Sequence, residues 1–324
     1  MQLLGFHHLT AVTADAARNH AFYTRTLGLR LVKKTVNQDD VSAYHLFYAD
    51  AKGSPGTDIT FFDWPAERES RGTHSIVRTG FRVASRASLA YWQQRLTELR
   101  VTHGGIIERD GRALIELEDP EGQRLALIAD EQSAAGHTWE KSLVPAEHQL
   151  RGLGPIWISV PNIEGTELVL TKVMEMRRAR EYHMPCSDGS AGESQVVVFE
   201  VGPGGASAEL HVAVEPSLRP ASPGAGGVHH VAFRVPTSED YERWNERLHN
   251  MRVPSSGPVD RFYFRSLYFR EPNGILFELA TDEPGFASDE PMETLGEKLS
   301  LPPFLESRRK QIEAGLKPLE TNHG

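Results

Sequence analysis

Two pairs of adjacent histidines and one glutamate are the residues whose types and spacing invite chemistry: His7-His8, His229-His230 and Glu278. Glu278 lies in Gly274-Ile-Leu-Phe-Glu-Leu-Ala280, a stretch that alternates like a strand. Leu276, Glu278 and Ala280 share one face, while Ile275, Phe277 and Leu279 share the other. A carboxylate among apolar neighbours needs a partner, because an unpaired buried charge is costly. A salt bridge would serve, or a strand face turned to solvent, and so would a metal ion. Two imidazoles and one carboxylate form the ligand set that leaves open positions on non-haem Fe(II); manganese, zinc or nickel can use the same donors.

Adjacent strand residues face opposite sides, so only one histidine of each pair is expected to reach the metal. His229 is in phase with the bulky face of Val231, Phe233 and Val235, and His7 with Leu9 and Ala11. His8 and His230 are therefore the expected ligands with Glu278. His7 and His229 are read as neighbours that orient or polarise them.

An internal repeat positions these residues. Thr79-Gly-Phe-Arg-Val83 resembles Val231-Ala-Phe-Arg-Val235, Trp92–Val101 resembles Trp244–Val253, and Asp119-Pro-Glu-Gly122 resembles Glu271-Pro-Asn-Gly274. All three pairs are offset by 152 residues. Each unit reads strand, helix, then three strands. In the last, Thr237-Ser-Glu-Asp240 is a helix start, Tyr241, Trp244, Leu248 and Met251 form its apolar stripe, and strands follow at Val259–Phe264, Leu267–Arg270 and Ile275–Ala280. Fainter copies begin at Leu4 and Leu153. The expected fold is α+β: four βαβββ modules in two tandem pairs (1–135 and 150–284), forming curved mixed β-sheets around a metal site, with a C-terminal tail (285–324). Glu306–Leu316 within that tail is expected to form a surface helix.

The repeat also supplies a control. Copy two has Arg78 in place of His230 and Ala126 in place of Glu278, and copy three offers Trp157 at about the place of His8. In copy one, Asp58-Ile-Thr-Phe-Phe-Asp63 puts an aromatic near the place of Glu278. Candidate ligands thus sit only in copies one and four, as a single shared site requires.

Composition narrows the partners. A net charge of −9 and a pI near 5.9 argue against nucleic acid or an anionic membrane. No run approaches the ~20 apolar residues of a membrane span, and the start of the chain lacks a signal-peptide pattern, so a cytoplasmic protein is expected. The one cysteine, Cys186, forms no intramolecular disulfide and has no evident base beside it. His45, His74 and His183 are not selected by any spacing. A homodimer is the common default for assembly.

The paired βαβββ units, strand-initial histidines and glutamate after Pro-Asn-Gly resemble the vicinal oxygen chelate superfamily, which includes glyoxalases and extradiol ring-cleaving dioxygenases. Gly5-Phe-His-His-Leu-Thr-Ala-Val12, Leu29–Asn37, Gly53–Trp64 and Leu295-Gly-Glu-Lys-Leu-Ser-Leu-Pro-Pro303 are similar to the members that open hydroquinones. The resemblance covers nearly the whole chain. It implies an Fe(II) site of His8, His230 and Glu278, supported by His7, Thr10, His229, Arg261 and Tyr268. It also implies a small aromatic substrate opened with O2. Tyr268 would donate or accept a proton at a substrate oxygen, and Arg261 would stabilise developing negative charge. Arg261 has a counterpart, Arg109, in a copy without ligands, which favours a structural role. The competing expectations are a glyoxalase-like isomerase or lyase, whose sites usually show two carboxylates, and a non-enzymatic small-molecule binder.

Overall fold

The structure, a computed structural model, describes residues 1–134 and 136–321. Ala135, which ends the first expected sequence repeat, and the last three residues of the tail lie outside the described residues. The four modules fold as expected. The first comprises β1 (Phe6–Thr13), α1 (Ala16–Ala21), β2 (Arg30–Val36), β3 (Tyr44–Ala49) and β4 (Asp58–Asp63). The second has β5 (Ser75–Val83), α2 (Arg86–Glu98), β6 (Ile107–Arg109), β7 (Arg112–Glu118) and β8 (Arg124–Ala129). In the third are β9 (Leu153–Val160), α3 (Glu164–Leu168), β10 (Arg177–Pro185), β11 (Glu193–Glu200) and β12 (Glu209–Val214). The fourth contains β13 (Val228–Val235), α4 (Ser238–Asn250), β14 (Val259–Asp260), β15 (Arg265–Arg270) and β16 (Leu276–Thr281).

These strands form two curved, mixed, eight-stranded sheets. The repeats are tandem in sequence, but hydrogen bonding pairs the modules across the chain. The first sheet runs β14-β15-β16-β13-β1-β4-β3-β2 and unites modules four and one. The second runs β10-β11-β12-β9-β5-β8-β7-β6 and unites modules three and two. Sequence neighbours are tied instead through their helices. Arg95 of α2 donates to the carbonyls of Arg25 and Thr26, and Arg247 of α4 donates to those of Lys172 and Val173.

One face of each sheet joins a single apolar core with the helices, including Leu9, Phe61, Phe81, Ile156, Phe233 and Phe277 with Tyr23, Trp92, Leu170 and Trp244. Ile275, Phe277 and Leu279 belong to it as the alternation requires, whereas Ala280 packs on the opposite face. The helix starts follow their sequence signals. Thr237 caps α4 by accepting from the Asp240 amide, and Ser85 caps α2 through the Ser88 amide. The turn before β16 also has a local cause: Gly274 sits at φ +85°, while Glu271 accepts from the Ile275 amide and from Thr166 Oγ1.

Several local expectations are corrected. The strand expected over Val259–Phe264 stops at Asp260. Phe262 then takes a positive φ of 68° in a turn that returns Phe264 to the site. The module pattern calls for β10, but nothing in the sequence located it. It is an exposed edge strand of mostly polar residues, without apolar alternation to announce it. The tail helix is broken into α5 (Pro303–Glu306) and α6 (Arg309–Gly315), and it docks by burying Leu305 and Ile312 against Val36. Register puts Trp157 opposite Arg78 as Thr10 stands opposite His230, so Trp157 occupies Thr10's place and Pro155 that of His8. Thr60, not an aromatic, matches Glu278 in module one. No helix among the described residues is long and apolar enough to cross a membrane.

Candidate metal centre and cavity

His8 on β1, His230 on β13 and Glu278 on β16 converge on one face of the first sheet. All three are buried, and their potential ligand atoms lie within 4.8 Å of one another. Glu278 Oε2 is 3.1 Å from His8 Nε2 and 2.9 Å from His230 Nε2. Neither Glu278 Oε2 nor His230 Nε2 has a properly directed hydrogen bond despite complete burial. Buried polar atoms are rarely left so. A cation between them would satisfy both, so these residues fit a divalent metal by donor type as well as position. The other carboxylate oxygen of Glu278 accepts a short hydrogen bond from Ser266 Oγ, which orients the group.

The adjacent histidines are brought in by two matched irregularities. Pairing between β1 and β13 runs Phe6↔Phe233, His8↔Ala232, Leu9↔Val231, Thr10↔His230 and Ala11↔Val228, leaving His7 and His229 unpaired. A bulge re-aims the side chain it releases. His7 Nδ1 therefore reaches His8 Nδ1 at 2.9 Å, and His229 Nδ1 reaches His230 Nδ1 at 2.7 Å. Strict alternation would have turned both away. Each contact occupies Nδ1 of the inner histidine and leaves its Nε2 to face Glu278.

Burial pushes the Glu278 carboxyl up, but the His8 and His230 imidazoles outweigh it and hold the group well below the usual carboxylate range. Burial, reinforced by the neighbouring inner histidine, pushes His7 and His229 each down to about 3. Burial also lowers His230, opposed by Glu278.

A cavity of about 270 Å³ opens beside the triad. His8, Thr10, His229, His230, Arg261 and Tyr268 line it, together with Phe47, Phe62, Trp64 and Phe264. Arg261 Nε donates to Tyr268 Oη at 3.2 Å, and its terminal nitrogen pairs with Asp39 at 2.9 Å. Burial and the charge of Glu278 push the Tyr268 phenol up, against the pull of Arg261. The equivalent Arg109 reaches Glu116 on the neighbouring strand, so the arginine's cross-strand reach is common to both sheets and its phenolic partner is peculiar to the first.

The glyoxalase/bleomycin resistance protein/dioxygenase superfamily model matches residues 5–127 and 152–279. The chain belongs to this superfamily. It is 45% identical over 322 residues to MhqA of Bacillus subtilis (strain 168), a provisionally named ring-cleaving dioxygenase, covering 99% of this chain and all of that one. It is 30% identical over 317 residues to the chlorohydroquinone/hydroquinone 1,2-dioxygenase of Sphingobium indicum, covering 95% and 94% of the two chains. A crystal structure of a provisionally named Bacillus subtilis dioxygenase superposes with a TM-score of 0.89 at 35% identity, covering 99% of each chain. Glyoxalase I from Zea mays shares the fold, with a TM-score of 0.60 at 14% identity over 86% of this chain and 92% of that one.

Within this superfamily member, the structure adds one residue that spacing did not select. His45 on β3 is held between Phe47 and Phe62, with ring centroids 4.0 and 4.4 Å away, and lines the cavity. Its Nε2 is 2.9 Å from Thr60 Oγ1, which donates to Thr10 Oγ1 at 2.8 Å. Burial, with the charges of His8, His230 and Arg261, lowers its pKa well below the ordinary value. The strand position alone could have put His45 on this face, but nothing in sequence pairs it with Thr60. His74 lies at a different cavity, His183 sits on the exposed β10, and Cys186 lines a cavity of the second sheet. A second acidic group, Asp110, Glu209 and His211, is already neutralised: Arg112 grips Glu209 in a two-pronged pair, and Arg180 bridges Glu209 and Asp110.

Proposed function

We propose that this protein is an Fe(II)-dependent ring-cleaving dioxygenase that opens a hydroquinone-type ring, chlorinated or not, with O2. The observation carrying the reading is the buried His8–His230–Glu278 group, with unpartnered donor atoms beside an aromatic-lined cavity. The names of MhqA and of the Sphingobium hydroquinone dioxygenase support the reaction and substrate classes. Fe(II), when held by these three residues, supplies open coordination positions for a substrate oxygen and for O2.

The chain's own residues do the rest. Phe47, Phe62, Trp64 and Phe264 provide apolar surface for an aromatic ring. His7 and His229 fix the rotation of the ligand rings through their Nδ1 contacts. His45 lines the cavity with its Nε2 against Thr60 Oγ1, a placement from which it can accept a proton from a substrate hydroxyl and pass one towards Thr60. Tyr268 and Arg261 offer a paired phenol and guanidinium to an oxygen gaining negative charge. Both atoms of O2 enter the product, and the carbon–carbon bond beside the hydroxyl-bearing carbon breaks.

The test is oxygen uptake after anaerobic loading with Fe(II), using hydroquinone, chlorohydroquinone, catechol and a glutathione hemithioacetal. O2 consumed in proportion to ring-opened product, and lost in His230→Ala, is the expected result. Metal-dependent turnover of the hemithioacetal without uptake on any phenol would end this reading in favour of a glyoxalase-like isomerase. The single carboxylate in the candidate ligand set weighs against that outcome.

A further inference from the structure

The second sheet has a cavity where the first has its metal candidates. By register, β5, β7 and β8 stand for β13, β15 and β16. Arg78 therefore takes the place of His230, Ala126 that of Glu278, and Glu116 that of Tyr268. Even the bulge is kept, with Val77 left unpaired as His229 is. The substitutions have a common sense. The carboxylate that would hold a cation is gone, and a guanidinium has replaced an imidazole.

About 220 Å³ is open there. Arg71, Arg78, Arg109 and Arg124 line it, and its lining carboxylates are Glu116 and Glu118. These do not balance the arginines. One Glu116 oxygen is shared by Arg78 and Arg109, and Glu118 is shared by Arg71 and the nearby Arg68. Arg124 turns to the Ser187 carbonyl and is offset by Glu69, 3.9 Å away, and by the charge of the buried Glu215, so the excess rests on Arg78 and Arg109, which share Glu116. Arg78 Nε is buried without a hydrogen-bond partner. Such excess charge is expensive unless something compensates it. Burial and the neighbouring Arg109 and Arg124 push the Arg78 guanidinium down to about 9, as expected of crowded like charges.

We propose that this cavity binds a small organic carboxylate, with its anionic end on Arg78 and Arg109. Guanidinium groups suit a carboxylate because two N–H donors match its two oxygens. The organic part follows from Val77, Trp157 and Met184, which line the same cavity and offer apolar surface that a hydrated inorganic anion would not use. The site is separate from the candidate metal centre, since the two cavities share no lining residue.

The test is calorimetric titration of the metal-loaded full chain with maleate, inorganic phosphate and the uncharged dimethyl ester of maleic acid. Maleate should bind, the ester should not, and Arg78→Gln should weaken maleate at least about tenfold, the loss of a charged hydrogen bond. Oxygen uptake should survive in that variant, and Arg261→Gln should retain maleate binding. The unmodified protein provides a second readout that does not depend on a variant folding. Cys186 lines the cavity and is the only cysteine of the chain, so maleate should slow its reaction with a thiol reagent. Absence of binding by the unmodified protein, or equal binding by folded Arg78→Gln, overturns the proposal. Binding of phosphate but not maleate overturns its organic part.

Discussion

Metal binding should stabilise the first sheet measurably, because its three candidate ligands come from opposite ends of the chain. His8 lies on β1, and His230 and Glu278 lie on β13 and β16; unfolding separates them. A ligand present at 100 times its dissociation constant, and bound only by the folded state, adds about 2.7 kcal/mol. With an unfolding entropy of about 2.1 cal/mol/K per residue, the 324-residue chain loses about 0.7 kcal/mol per degree near its midpoint. The expected rise in Tm is therefore about 4 °C, or about 8 °C if the metal-bearing half unfolds by itself. The assay is scanning calorimetry of chelator-treated protein with and without Mn(II), an air-stable stand-in, after its Kd has been measured. Glu278→Gln should lose most of the rise, since an amide is a poor metal donor. An unchanged rise in Glu278→Gln, or none at saturating metal in the unmodified protein, would refute the argument that the triad holds the ion.

Other perturbations have defined signs. His45→Phe keeps an aromatic ring between Phe47 and Phe62 but removes the proton acceptor; kcat for oxygen uptake should fall by about 10² or more, with metal stoichiometry unchanged by elemental analysis. Burial raises the Asp119 carboxyl from 3.8 to about 6, so the folded state binds its proton more tightly. That contribution is full below the unfolded value and is lost as pH rises through 6, amounting to about 1.4 kcal/mol between pH 5 and 7.5. Asp119→Asn should remove this slope from urea-unfolding data, whereas an unaltered slope would assign it to other groups. Lys33 is fully buried, pairs with Asp289 and Glu290, and lies over the Tyr263 ring, joining the tail to β2. Lys33→Ala should cost about 3 kcal/mol in the same assay, as the breaking of a buried pair does.

The sequence by itself determined the modules, because the 152-residue repeat and the strand and helix periods are local properties of the chain. It also selected His8, His230 and Glu278 as a group: alternation put each on the non-core face, and the ligand-poor copies served as a control. Tertiary structure decided the rest. Which modules share a sheet depends on pairing between β1 and β13, residues more than two hundred positions apart, and no local period records that choice. The contacts of His7 and His229 depend on bulges created by that same pairing. His45 became part of the candidate site only when β3 was laid beside β4, bringing its ring to Thr60. Arg78 reads in sequence as the loss of a ligand. Buried in the second sheet among other arginines, it forms a cationic cavity, because charge acquires its meaning from what surrounds it once water is excluded.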